Sequence, residues 1–120
     1  MLPPMSTHPT LVRAAARLAP AMPNGFVPQV EACLARPEGS PLTFTPDTNL
    51  VIALAALLVT TVGVAWTIAQ DIRSQGHEPT PIVVERRVRL EMTIPPDLPA
   101  SKVDRILSVT IEEVIRQAAA

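Results

Sequence analysis

The stretch NLVIALAALLVTTVGVAWTIAQ, residues 49–70, contains no charged side chain. Asp47 and Asp71 bracket 23 uncharged residues, and an α-helix rising about 1.5 Å per residue needs roughly 20 of them to cross the hydrocarbon of a bilayer. Leu50, Val51, Ile52, Leu54, Leu57, Leu58, Val59, Val62, Val64 and Ile68 supply strong apolar character. At about −0.3 to −0.6 kcal/mol each they favour insertion by roughly 3 to 6 kcal/mol. Trp66 lies near the end of the run, where an indole can reach the headgroups. A helix apolar on every side could instead be buried in a soluble protein, but it would need a large protein around it. The remaining residues of this 120-residue chain do not promise one. The run therefore predicts a transmembrane helix over residues 49–70.

A cleaved signal peptide fits less well. The run is longer than the 7 to 15 residues of a typical signal core, and its upstream flank is acidic at Asp47 rather than basic. Orientation follows from the arginines. Before the span stands Arg36 with Glu31, Glu38 and Asp47, whereas Arg73, Arg86, Arg87 and Arg89 follow it. Basic flanks stay in the cytoplasm, which predicts an N-out, C-in arrangement. Nine arginines against the single Lys102 suggest a GC-rich bacterial genome and hence the bacterial inner membrane. Small side chains recur along the span at Ala56, Thr60, Thr61, Gly63, Ala65 and Ala69. Such positions let helices approach closely in lipid.

Outside the span the composition argues against one large core. Nine of the 14 prolines fall in residues 1–46, and aromatics are only 2% of the chain. Residues 1–36 read as a proline-rich, weakly structured N-terminal tail. Short helices are possible from Thr10 to Leu18, stopped by Pro20, and from Pro28 to Ala35. Residues 37–48 read as a linker from their proline, glycine and hydroxyl content, and residues 71–81 as a polar connector. Cys33 is a small apolar filler on the second short helix, since no partner constellation surrounds it.

In IVVERRVRLEMTI, residues 82–94, one face of a period-two pattern carries Ile82, Val84, Val88, Leu90, Met92 and Ile94, with Arg86 as its exception. The other face carries Glu85, Arg87, Arg89 and Glu91 among others. That alternation predicts a half-buried β-strand ended by the prolines that follow. Ser101 and Asp104 have capping-box spacing, and Val103, Ile106, Leu107, Thr110, Ile111, Val114 and Ala118 fall on one helical stripe. Residues 82–120 thus read as a β–α interaction unit, with Val84, Arg86, Val88, Leu90, Met92, Val103, Leu107 and Val114 as its contact residues. A lone strand leaves both edges open, so the unit should complete itself on a partner chain or a second copy. Arg86, projecting from the apolar face, marks either where a partner carboxylate would arrive or where the sheet face ends.

Catalytic and ligand-binding constellations are missing from the pattern. His8 and His77 are isolated, the four glycines are scattered, and adjacent Glu112 and Glu113 point about 100° apart on a helix. No metal, cofactor or small-molecule substrate is expected. Net charge is −1, and the arginines of residues 86–89 alternate with glutamates without an aromatic nearby, which argues against nucleic acid. The fold class expected is a single-pass membrane protein with one transmembrane α-helix, a weak N-terminal tail and a small C-terminal β–α unit. Its expected partners are the lipid bilayer and either copies of itself or a membrane-complex protein, in a structural or assembly role rather than an enzymatic one. The alternative is a small self-associating protein that permeabilises the bilayer. Only Thr60, Thr61 and Thr67 could form its polar stripe, and they do not share one narrow face.

Overall fold

The computed structural model describes residues 7–35, 49–94 and 96–119. The expected linker over 37–48 and the side chains of His8 and Cys33 lie outside the described residues. Among these residues five α-helices and one 3-10 turn make up the order: α1 (Thr7–Leu18), the 3-10 turn Ala19–Ala21, α2 (Phe26–Ala35), α3 (Asn49–Ser74), α4 (Pro81–Glu91) and α5 (Ala100–Ala119). No strand occurs among the described residues.

Local chemistry sets most of the boundaries. Pro20 follows α1 and sits within the tighter 3-10 turn, because proline offers no amide for a continuing helix. Gly25, at φ +90, takes the left-handed conformation that a side chain would resist and feeds directly into α2. Thr10, the expected first residue of the short helix, lies inside α1 and is fully buried. Helix α3 continues one turn past its uncharged run and stops at Gly76, φ +84. The Gly76 amide donates to the Arg73 carbonyl at 3.0 Å and the His77 amide to the Ile72 carbonyl at 3.2 Å. This is the paired terminating motif in which a left-handed glycine lets the chain fold back over the last turn. The Arg73 guanidinium reaches across to the Ala118 carbonyl, tying the end of α3 to the end of α5.

The C-terminal β–α unit is overturned. Residues 81–91 form helix α4 instead of a strand, and α5 packs against helices rather than a sheet. Three local features explain the correction. Pro81 occupies the first helical position after Thr80, where its missing amide costs nothing. Glu85 pairs with Arg89 at 3.0 Å and Arg87 with Glu91 at 3.3 Å, both four residues apart and reachable on a helix face. Val84 and Val88, also four apart, are the residues that α4 buries. The alternating pattern that suggested a strand contained this helical repeat as well. Ser101 and Asp104 do not act as a reciprocal cap. Helix α5 starts on the Pro99 carbonyl, which accepts the Lys102 and Val103 amides, while Asp104 accepts from Arg89 at 2.8 Å.

Helix α3 is central, touching α1, α2, α4 and α5, while α1 and α4 each also lie along α5. The core gathers Leu54, Leu58, Val62, Ile68 and Ile72 of α3 with Leu11 and Leu18 of α1, Phe26 and Val30 of α2, and Ile106, Leu107, Ile111 and Val114 of α5. Half of the most apolar window of α3 is buried. The other helices therefore cover one side of the helix that the sequence suggested they could not enclose.

Candidate functional site

Helix α3 is the one helix among the described residues that is long and apolar enough to cross a membrane. Its two sides differ. Leu54, Leu58, Thr61, Ala65, Ile68 and Ala69 face inward and are buried, whereas Thr60, Gly63, Thr67, Gln70 and Ser74 face outward and are exposed. The small residues read from the sequence as a packing surface are thus split. Thr61, Ala65 and Ala69 form an inner stripe at four-residue spacing, Thr60 and Gly63 lie on the outer face, and Ala56 is half-buried. The Thr61 hydroxyl donates to the Leu57 carbonyl at 2.6 Å and that of Thr67 to Gly63 at 3.0 Å. Helix-internal bonds of this kind let threonine sit in apolar surroundings. Trp66 is half-buried against the core.

The contact residues expected near the C-terminus also separate. Val84 and Val88 of α4 join Val103, Leu107 and Val114 of α5 in the core, with Met92 packed partly against them. Arg86 and Leu90 do not join. Leu90 is 79% exposed and Ile82 72%. With Arg86 they occupy successive four-residue steps along the outer side of α4, and Val83 lies beside them. The three α4 arginines are treated differently. Arg87 pairs with Asp71 at 3.0 Å as well as Glu91, and Arg89 with Asp104 at 2.8 Å as well as Glu85. Hydrogen bonds to Asp71 raise the Arg87 pKa further above its ordinary value, and those to Asp104 do the same for Arg89. Among the described residues Arg86 has no carboxylate partner.

A second ionic group was not anticipated. Glu113 of α5 is 1% exposed in its side chain and accepts from Arg17 at 2.8 Å, Arg13 at 3.3 Å and Arg116 at 3.3 Å. Arg17 also bonds exposed Glu112 at 2.9 Å, and Arg13 the Gln117 amide oxygen at 2.6 Å. Burial pushes the Glu113 carboxyl up, but the Arg17 hydrogen bond, the charges of Arg116 and Arg17 and the Arg13 hydrogen bond outweigh it and hold the pKa below the ordinary value. The carboxylate is consumed by guanidinium groups and fastens α1 to α5. Its sequence signal was weak, namely Arg13 and Arg17 one turn apart beside the apolar line of Leu11, Ala14 and Leu18.

Nearby, the Thr110 hydroxyl of α5 is buried without a hydrogen-bond partner among the described residues. Among the described residues no group of three or more His, Cys, Asp or Glu could hold a metal ion. No family model, no curated protein and no solved structure matches the chain.

Proposed function

We propose that this chain is a non-enzymatic assembly subunit, held at a bilayer through α3 and recognised by a partner protein through its other helices. The observation that carries the reading is α3 itself. Its residues 49–70 hold no charge and extend for about 33 Å at 1.5 Å per residue, against a hydrocarbon thickness of about 30 Å. The arginine-rich flank after the span supports an N-out, C-in orientation, and the arginine-over-lysine usage supports a bacterial inner membrane.

The bundle and the bilayer compete for the same side chains. Leu54, Leu58, Val62 and Ile68 leave water whether α1 and α5 cover them or lipid does. The outer faces of α1, α4 and α5 carry arginines and carboxylates that hydrocarbon would reject. An anchored α3 therefore exchanges its helical cover for lipid, with the amphipathic helices at the interface or in water. A second reading has its own support. The exposed line Thr60, Gly63, Thr67, Gln70 and Ser74 is the polar side a core helix shows to water, which would make the chain a helical adaptor outside the bilayer.

Alkaline carbonate washing of membranes separates the two. Retention of the full-length chain in the pellet is expected, and release into the supernatant would replace the anchored reading with the second. Cysteines introduced at Ser6 and Ala119, with Cys33 replaced, report orientation through an impermeant maleimide on intact cells. Labelling at Ser6 alone is the expected pattern.

A further inference from the structure

We infer that the outer face of α4 is a docking site for an acidic amphipathic helix of another protein, with Arg86 taking a carboxylate between two aliphatic contacts. The inference rests on the assembly role proposed above and gives that role a surface and a chemistry. Ile82 and Leu90 are the two most exposed large apolar side chains among the described residues, at 72% and 79%. Arg86 stands midway between them, four residues from each, with Val83 alongside. These residues fill one continuous sector of the helix, opposite buried Val84 and Val88. Solvated aliphatic side chains placed singly need no explanation, but here they frame a guanidinium in a line.

The pairing pattern makes that guanidinium distinctive. Arg87 and Arg89 each hold two carboxylates, whereas Arg86 holds none among the described residues. The complement of apolar–cation–apolar is apolar–acid–apolar at the same repeat. A helix offers it, because positions four residues apart rise about 6 Å along its axis. An extended segment matches the spacing less usefully, since it would bury unpaired backbone groups against a helix that has no edge to bond them.

A second copy of this chain is disfavoured, since a two-fold pairing centred on this line would set Arg86 against its own image. An anionic membrane surface is disfavoured as well. Arg73, Arg86, Arg87 and Arg89 are matched by Asp71, Glu78, Glu85 and Glu91 over the same segment, whereas surface attraction to lipid needs a cluster of uncompensated cations. One placed carboxylate satisfies the face; a diffuse negative surface does not.

The test uses the full chain, in buffer or mild-detergent micelles, and three labelled helical peptides. They differ only at a central Glu, Gln or Lys set between leucines four residues to either side. Fluorescence anisotropy should show the Glu peptide binding at least tenfold more tightly than the Gln peptide. Arg86→Gln should equalise the two, Arg86→Glu should favour a Lys peptide, and Leu90→Ser should weaken both. Equal binding of the Glu and Gln peptides, or binding of neither, overturns the inference. So does adsorption to phosphatidylglycerol vesicles that Leu90→Ser abolishes, or a dimer in sedimentation that the same change dissociates. Release of the chain by carbonate would remove the anchor and leave the peptide result standing, so the two readings fail separately.

Discussion

Helices α4 and α5 lie in the same third of the chain and both mix apolar with charged residues, yet they dispose of their apolar side chains in opposite ways. In α5 nine residues are buried, including Val103, Ile106, Leu107, Ile111 and Val114. In α4 only Val84 and Val88 are buried, while Ile82, Val83 and Leu90 point outward. Both contain enough apolar residues to look like core. What separates them is angular distribution: α5 concentrates its side chains on a broad stripe facing α1 and α3, and α4 divides them between two opposite sides. Apolar content alone does not assign a helix to the interior.

The largest expected effect tests the α5 side of that contrast. Leu107 is fully buried, so Leu107→Ala removes buried methyl groups and leaves a cavity, at a cost of about 2 to 5 kcal/mol. Denaturant melts followed by far-UV circular dichroism would read it on the chain in aqueous buffer, where no lipid replaces the helical cover of α3. A loss below about 1 kcal/mol would mean that α5 is not a core helix and that the contrast with α4 is false.

Next in size is the buried carboxylate between α1 and α5. Glu113→Gln keeps the shape but removes the charge that three arginines share. Charged hydrogen bonds contribute about 1.5 to 3 kcal/mol each when well buried. The arginines here are 40 to 67% exposed, so the net loss expected is about 1 to 2 kcal/mol after screening. The sign with pH is set by the lowered pKa of Glu113. Its contribution is complete above the unfolded glutamate value and is lost as pH falls from there through the lower folded value. Acid melts should therefore show a falling limb in the wild type that Glu113→Gln flattens. Parallel limbs in the two proteins would remove Glu113 as the α1–α5 fastening.

A smaller effect of opposite sign is expected at Thr110. Its buried hydroxyl has no partner among the described residues, and Thr110→Val replaces it with a methyl group of nearly the same shape. A gain of about 1 kcal/mol follows from removing an unsatisfied polar group. A rise in melting temperature would support the tight, dry packing of α5, and a fall would place an unrecognised acceptor beside the hydroxyl.

The same contrast explains what could be read from the sequence. The uncharged run over 49–70 identified α3, because length and the lack of charge are properties of the segment itself. The stripe Val103, Ile106, Leu107, Ile111, Val114 identified α5, because its period is helical and no other period fits. Residues 82–94 carried two periods at once. The alternation was visible, but Val84–Val88 and the Glu85–Arg89 and Arg87–Glu91 pairs fit the helical repeat, and Pro81 stood at its start. Those local features favour the helical repeat, which is the one the fold adopts. The Glu113 cluster was beyond local reading, since its partners Arg13 and Arg17 lie 100 and 96 residues away. Arg86 is the residue that both periods leave exceptional: it broke the apolar face of the alternating pattern, and in α4 it is the arginine without a carboxylate among the described residues.

The smallest expected effect is the one that most directly tells a strand from a helix over residues 82–91. On the alternating pattern Leu90 occupies the centre of the apolar face, and Leu90→Lys would bury an ammonium group and abolish the ordered form. In α4 the same side chain is 79% exposed, so a lysine there keeps its charge in water and extends a helix-compatible chain. The expected change is within about 0.5 kcal/mol, as for other surface substitutions. Val88→Lys supplies the opposing control, because Val88 is fully buried against α3 and α5 and a charge there has no partner to compensate its desolvation. Melts in which Val88→Lys unfolds the chain and Leu90→Lys does not would fix the helical register of α4. Equal damage from both would return the segment to the alternating arrangement, in which positions 88 and 90 share a face, and would take the proposed docking surface with it.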